Sequence, residues 1–330
     1  MRALPLRPLG DSGLRVTPLG LGLAALGRPA YMTPDREQDF PEGRSPFQME
    51  QRTHALLDLA WERGLRLFDA ARSYGHAEGF LARWLERAHV EPGDGTIGSK
   101  WGYVYVGDWQ LEAPVHEVKR HDLETLRRQW EASRQLLWNH LDLYQLHSLT
   151  PDSPFWDRPE LAEALGVLKQ THGVRIGFTA SGPRQADTIR RALDIEAGGH
   201  RLFDVVQATF NPLEPSVGPV LDRARAAGVG VVVKEALANG RLLQPSTAGF
   251  ETARGLARDR GVGVDALALA AVLRHPSVDA VLTGAVTKEQ LASNLAAFDV
   301  DWDDAVQDWA DSLAEAPEAY WAARSRLAWA

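Results

Sequence analysis

The chain has 330 residues, 45% of them hydrophobic, which is enough to bury a large core within one domain. Its 36 basic and 44 acidic side chains leave a net charge of -8 and no basic stripe of the kind that nucleic-acid phosphates require. It contains no cysteine, which excludes disulfides, thiolate nucleophiles and cysteine-ligated metals, and no apolar run reaches membrane-spanning length.

Residues 1–10 contain Arg2 and Arg7 and lack the apolar stretch of a secretory signal, so a cytoplasmic protein without nucleic-acid or membrane partners is expected. Next, Asp11-Ser12-Gly13 between short apolar stretches reads as a hairpin turn, and residues 19–23 as a first buried strand. Short apolar runs then alternate with segments of helical period. The strands fall at 65–69, 96–100, 141–147, 174–179, 205–208, 229–234 and 280–284. The helices fall at 51–63, 77–88, 122–138, 160–171, 183–193 and 219–227, with Gly64 and Gly228 just past two of them, where a helix end favours a left-handed residue. Two helical segments, 247–260 and 264–274, precede the last strand where a minimal barrel needs one, and the tail from Trp302 reads as further helix.

Alternation of buried strands and helices argues for a parallel sheet. The expected fold is α/β: a (β/α)8 TIM barrel with an N-terminal β-hairpin and extra C-terminal helices, one domain over 1–330. A doubly wound dinucleotide fold fits poorly, because Gly20-Leu21-Gly22 lacks the third glycine of the fingerprint.

In a parallel barrel, catalytic groups sit at the C-terminal ends of strands. Asp69, Lys100 and His147 close three consecutive predicted strands, and Tyr74 lies five residues beyond Asp69. A lysine ammonium beside a tyrosine hydroxyl stabilises the phenolate and is expected to lower the tyrosine pKa from about 10. An aspartate would hold that ammonium in place, and a histidine could orient a substrate oxygen that gains negative charge as hydride arrives. Singly, each residue is better explained by capping, packing or solvation; together they describe a proton relay.

The segments Phe68-Asp69-Ala70-Ala71-Arg72-Ser73-Tyr74-Gly75, Gly98-Ser99-Lys100-Trp101-Gly102 and Asp142-Leu143-Tyr144-Gln145-Leu146-His147 resemble the signature segments of aldo-keto reductases. The similarity extends through Arg175-Ile176-Gly177, Val206-Gln207, Ala238-Asn239-Gly240 and the stretch from Thr283-Gly284 to Asn294. The resemblance implies that Tyr74 is the general acid/base, tuned by Lys100 and Asp69, and that His147 orients the carbonyl. It implies NADP as cofactor, with NAD possible, held by Gly22, Leu23, Thr179, Gln207, Lys234, Gly284, Thr287, Lys288, Gln290 and Asn294. The substrate would be an aldehyde, a ketone or a sugar carbonyl.

Four positions depart from the family pattern. Thr179-Ala180 replaces the usual Ser-Asn, Lys234 stands where many members carry an aromatic ring, and Gln290 takes a place often held by arginine. Trp101, Tyr103 and Trp109 in the loop after Lys100 are expected to wall a hydrophobic or sugar-like substrate, and residues 31–47 to form a second flap. Two other readings are a cofactor-binding regulatory subunit with little turnover and a Schiff-base barrel enzyme using Lys100 or Lys234. No histidine spacing implies a metal site.

Overall fold

The computed structural model describes residues 4–33 and 36–329. The start of the 1–10 run and part of the 31–47 segment lie outside the described residues. Eight parallel strands close into a barrel in chain order: β1 (Leu19–Gly22), β2 (Leu67–Asp69), β3 (Thr96–Trp101), β4 (Leu141–Leu149), β5 (Arg175–Ala180), β6 (Val205–Thr209), β7 (Gly230–Lys234) and β8 (Ala280–Thr283). β8 returns to pair with β1, Val281 opposite Leu19. The strands are covered on both faces, which is why they read as continuous apolar runs.

The N-terminal hairpin, Arg7–Pro8 against Arg15–Val16, plugs the N-terminal end of the barrel. Leu9 and Val16 pack there with Leu67, Leu143, Val205 and Val232. Gly10 is required at the turn: its φ is +54° and a Cβ would lie 2.3 Å from the Gly230 nitrogen.

The helices are α1 (Pro46–Glu62), α2 (Ala77–Arg87), α3 (Leu123–Leu137), α4 (Pro159–His172), α5 (Gln185–Leu193), α6 (Gly218–Ala226), α7 (Phe250–Asp259), α8 (Val264–Leu273), α9 (Lys288–Leu295), α10 (Asp304–Asp311) and α11 (Pro317–Ser325). The extra helix before β8 and the helical tail are thus present. α10 and α11 bury Trp309, Tyr320 and Trp321 in a cluster with Leu213 and Leu242, over loops at the barrel mouth. Among the described residues no helix is long and apolar enough to cross a membrane.

Several boundaries differ from the sequence reading. α1 begins at Pro46 because Ser45 forms a capping box with Gln48 and proline takes the first turn. β4 runs on to Leu149 through an irregularity after Leu146, with Ser148 left-handed at φ 53°. The loop after β3 is partly a small antiparallel hairpin, Tyr103–Tyr105 against Glu117–Lys119.

Candidate active site

Beyond Asp69 the chain continues beside β3: Ala70 N–H donates to the Gly98 carbonyl and Arg72 N–H to the Lys100 carbonyl. That continuation carries Tyr74 to the lysine. The Lys100 ammonium, with no exposed side-chain surface, donates to the Asp69 carboxylate, to the Ala70 carbonyl at 3.0 Å and to the Tyr74 hydroxyl at 3.2 Å. All three of its protons are placed. The second Asp69 oxygen accepts from the amides of Gln145 (3.1 Å) and Gln207 (3.3 Å). His147 lies with Nε2 3.5 Å from the Tyr74 hydroxyl and Nδ1 3.5 Å from Ser73 Oγ. The three residues expected at strand ends and Tyr74 from the loop beyond Asp69 therefore converge.

The electrostatics correct one expectation. Burial, and then the Asp69 charge, push the Tyr74 hydroxyl well above its ordinary pKa rather than below it. Lys100 is itself lowered by burial, against the opposing pull of Asp69, and its charge is largely committed to that carboxylate. Burial, together with Lys100, Arg28 and Lys234, pushes His147 well below its usual value, so its imidazole is neutral at neutral pH.

The tetrad opens into a cavity of about 510 Å³ that runs to the start of α9. Its wall includes Gly22, Gln207, Lys234, Gly284, Gln290 and Asn294 of the residues expected to meet a cofactor. The other four stand elsewhere. Leu23 is buried, its N–H donating to the Asp69 carbonyl at 2.9 Å. Thr179 is fully buried, and its hydroxyl accepts from the Ser148 N–H at 2.7 Å, which stabilises the left-handed residue of β4. Thr287 caps α9 through the Gln290 N–H. Lys288 is exposed and lines a separate groove with Arg52, Asp39, Glu42 and Glu289.

Several side chains on the cavity wall already have partners. Asn294 donates to Asp265 at 2.6 Å and accepts from the Thr283 hydroxyl. Gln290 accepts from Val286 N–H at 2.8 Å and donates to Asp39 at 3.0 Å. Lys234 donates to the Thr209 hydroxyl at 2.7 Å, and its distance to Glu235 is 3.9 Å.

The aromatic residues after Lys100 divide. Tyr103 meets the His147 ring edge-on at 5.1 Å, beside the site but not on the cavity wall. Trp101 is the last residue of β3; side chains alternate along a strand, so it points away from Lys100, is fully buried and faces His121. Trp109 stacks on His76 at 4.7 Å and donates to the Arg44 carbonyl, off the cavity wall.

The sequence reading missed Arg28, Tyr31, Gln145, Glu117 and Arg324. Arg28 is buried, pairs with Glu117 at 2.8 Å and sits 5.1 Å from the Tyr74 ring centroid. Arg324 on α11 grips Glu235 through two nitrogens. Gln145 alone left a signal, being two residues before His147 on one strand and so on the same inward face.

The sequence profile of the "Aldo/keto reductase family" matches residues 18–315. A Bacillus subtilis protein named only as an uncharacterized oxidoreductase is 26% identical, over 94% of this chain and 98% of its own. The NADH-specific methylglyoxal reductase of Escherichia coli is 25% identical, with the same shares covered. A crystal structure of a Pseudomonas aeruginosa protein provisionally named an aldo-keto reductase superposes with a TM-score of 0.64 at 25% identity, covering 88% of this chain and 93% of that one.

Proposed function

The chain belongs to the aldo/keto reductase family of nicotinamide-linked oxidoreductases, and from that premise we propose that it acts as a single barrel domain reducing an aldehyde, ketone or sugar carbonyl, with Tyr74 as general acid. The observation that carries the reading is the Lys100 ammonium, shared between Asp69, the Ala70 carbonyl and the Tyr74 hydroxyl.

The cavity fits an extended dinucleotide: it is continuous from the tetrad to α9, and Gly284 on its wall has open space where a Cβ would stand. When bound, the nicotinamide supplies hydride to the carbonyl carbon. Negative charge then develops on the carbonyl oxygen, and Tyr74 Oη donates its proton there. The Lys100 ammonium, 3.2 Å away, stabilises the phenolate that remains. Asp69, clamped by Gln145 and Gln207, keeps that ammonium charged despite its burial. Neutral His147 holds the substrate oxygen near the tyrosine. The raised Tyr74 pKa keeps the acid protonated through neutral pH, which suits reduction.

NADP is the cofactor we favour, because the family leans that way and Lys288, exposed at the start of α9, is a basic side chain available to a 2′-phosphate that reaches its groove. NAD is a second reading: Asp39, Glu42 and Glu289 share the Lys288 groove and oppose an added phosphate, and the E. coli relative is named NADH-specific. A cytoplasmic site of action accords with a chain lacking cysteine.

The test is oxidation of NADPH and of NADH, followed by absorbance, against aldehydes, ketones and sugars, with Tyr74→Phe alongside. Turnover that Tyr74→Phe abolishes is expected. Cofactor binding without turnover would instead favour the regulatory role.

A further inference from the structure

The charges at the tetrad end of the cavity sort into pairs, with one remainder. Lys100 is matched by Asp69, Arg28 by Glu117 at 2.8 Å, and Arg324 by Glu235 in a two-nitrogen grip. Lys234 is the fourth cation, its side chain only 17% exposed. Glu235 Oε1 is 3.9 Å from it and already accepts from Arg324. The Thr209 hydroxyl accepts from Lys234 and passes its own proton to Glu235 Oε2 at 3.1 Å, so that hydroxyl offers no negative charge. One ammonium proton is therefore placed, and among the described residues no second acceptor lies within hydrogen-bond distance of Lys234. The other carboxylates on the cavity wall, Asp265 and Glu289, belong to α8 and α9. Three carboxylates against four cations leave the tetrad end with one positive charge in excess.

The position of that charge bears on substrate rather than cofactor. Lys234 pairs in register with Thr209, which stands two residues beyond Gln207 on the same inward face of β6. Gln207 reaches Asp69 across the barrel, so the Lys234 layer lies about 7 Å nearer the mouth than the floor of the site. The charge of Lys234 is felt at His147. Its neighbours Thr209, Glu235 and Trp321 come from β6, the end of β7 and α11; none comes from α9.

We propose that Lys234 forms an anion subsite of the cavity and that the carbonyl substrate brings a carboxylate or phosphate to it. This deepens the reductase reading and rests on it. A mostly buried ammonium that only shares its nearest carboxylate with Arg324 is costly, and a substrate anion would offset the cost by forming a charge-assisted hydrogen bond with little water between. The same contact would hold the carbonyl against Tyr74 and His147, so it selects among carbonyls by their charge.

The test compares succinic semialdehyde with its uncharged methyl ester for the wild type, Lys234→Met and Lys234→Arg. Kd values for succinate and for cofactor are measured in parallel by tryptophan fluorescence. The expected result is that Lys234→Met lowers the kcat/KM ratio of acid over ester about thirtyfold and weakens succinate binding to a similar degree, with partial rescue by Lys234→Arg. Equal loss on acid and ester, or an unaltered ratio with unaltered succinate binding, would overturn the proposal. Weakening confined to the cofactor would overturn it too, assigning Lys234 to cofactor phosphates. If the wild type reduces neither aldehyde, succinate binding decides: binding that depends on Lys234 would still support the subsite, and its absence would sink it, while the reductase reading itself fails only if the wider carbonyl panel is inert as well.

Discussion

The two walls of the barrel mouth treat charge differently. On the wall built by β2, β3 and β4, Asp69, Lys100 and Tyr74 form a closed set in which every ammonium proton has an acceptor. On the wall built by β6, β7 and β8, Glu235 is spoken for by Arg324 while Lys234 keeps a surplus charge. Proton transfer at a developing oxyanion needs a tyrosine, a lysine and an acid at fixed strand ends, so the first wall has little freedom. Recognition can be met by many side chains or by backbone, so the second wall can depart from its family without losing the reaction.

The largest effect should come from the first wall. Tyr74→Phe is expected to lower the rate of carbonyl reduction about 10²- to 10⁴-fold in steady-state assays, the share typical of a positioned general acid. Retained activity would remove Tyr74 from that role and make both walls matters of recognition. The raised Tyr74 pKa adds a sign. The acid form is present below the pKa and lost above it, so reduction should show no decline assignable to Tyr74 below about pH 10. A Tyr74-dependent fall nearer neutrality, read from kcat against pH, would mean that Lys100 lowers this hydroxyl after all.

The first wall was legible because its residues close apolar runs that fully buried strands must have, and His147, Lys100 and Asp69 end or nearly end theirs. The second was less so, for a physical reason. A sequence supplies donors without saying which are already used, and only the folded chain brings Asp265 to Asn294 and Asp39 to Gln290. Arg28 and Glu117 are 89 positions apart, as are Glu235 and Arg324, so neither ion pair leaves a local pattern. Trp101 misled because the run was read as ending at Lys100, whereas β3 continues one residue and turns the indole outward. The Tyr74 shift was misjudged by letting the lysine charge decide it, whereas burial and then the Asp69 charge outweigh that cation at the hydroxyl.

A smaller effect, on stability, should come from the second wall. Glu235 is 7% exposed, and its partner Arg324 anchors α11 over the mouth. Glu235→Gln leaves a mostly buried guanidinium without its carboxylate and should cost about 3 kcal/mol, measured by urea unfolding. Burial is the largest single influence on the Glu235 carboxyl and raises it, but Arg324, Lys234 and the hydrogen bonds from Arg324 and Thr209 together hold it at about 2, below its ordinary value of 4.5. A depressed carboxylate stabilises the fold above the unfolded pKa and loses that contribution as pH falls through the folded one. The wild type should therefore lose its advantage over Glu235→Gln between about pH 4.5 and pH 2. A constant gap across that window would mean the pair packs α11 without its charge contributing.

The smallest effect is expected at the far end of the second wall, where Lys288 separates the two cofactor readings. Lys288 is exposed, so any contact with a 2′-phosphate is screened by salt and shared with Arg52 in the same groove. Lys288→Ala should weaken NADPH binding by only about threefold and leave NADH binding nearly as it was, with the difference shrinking as salt rises. The acids of that groove work in the other direction: replacing Glu289, which is fully exposed beside Lys288, with glutamine should tighten NADPH by a similar small factor. If the chain prefers NADH and neither substitution moves the ratio, then the groove carries no phosphate, and NADP gives way to NAD as the cofactor reading.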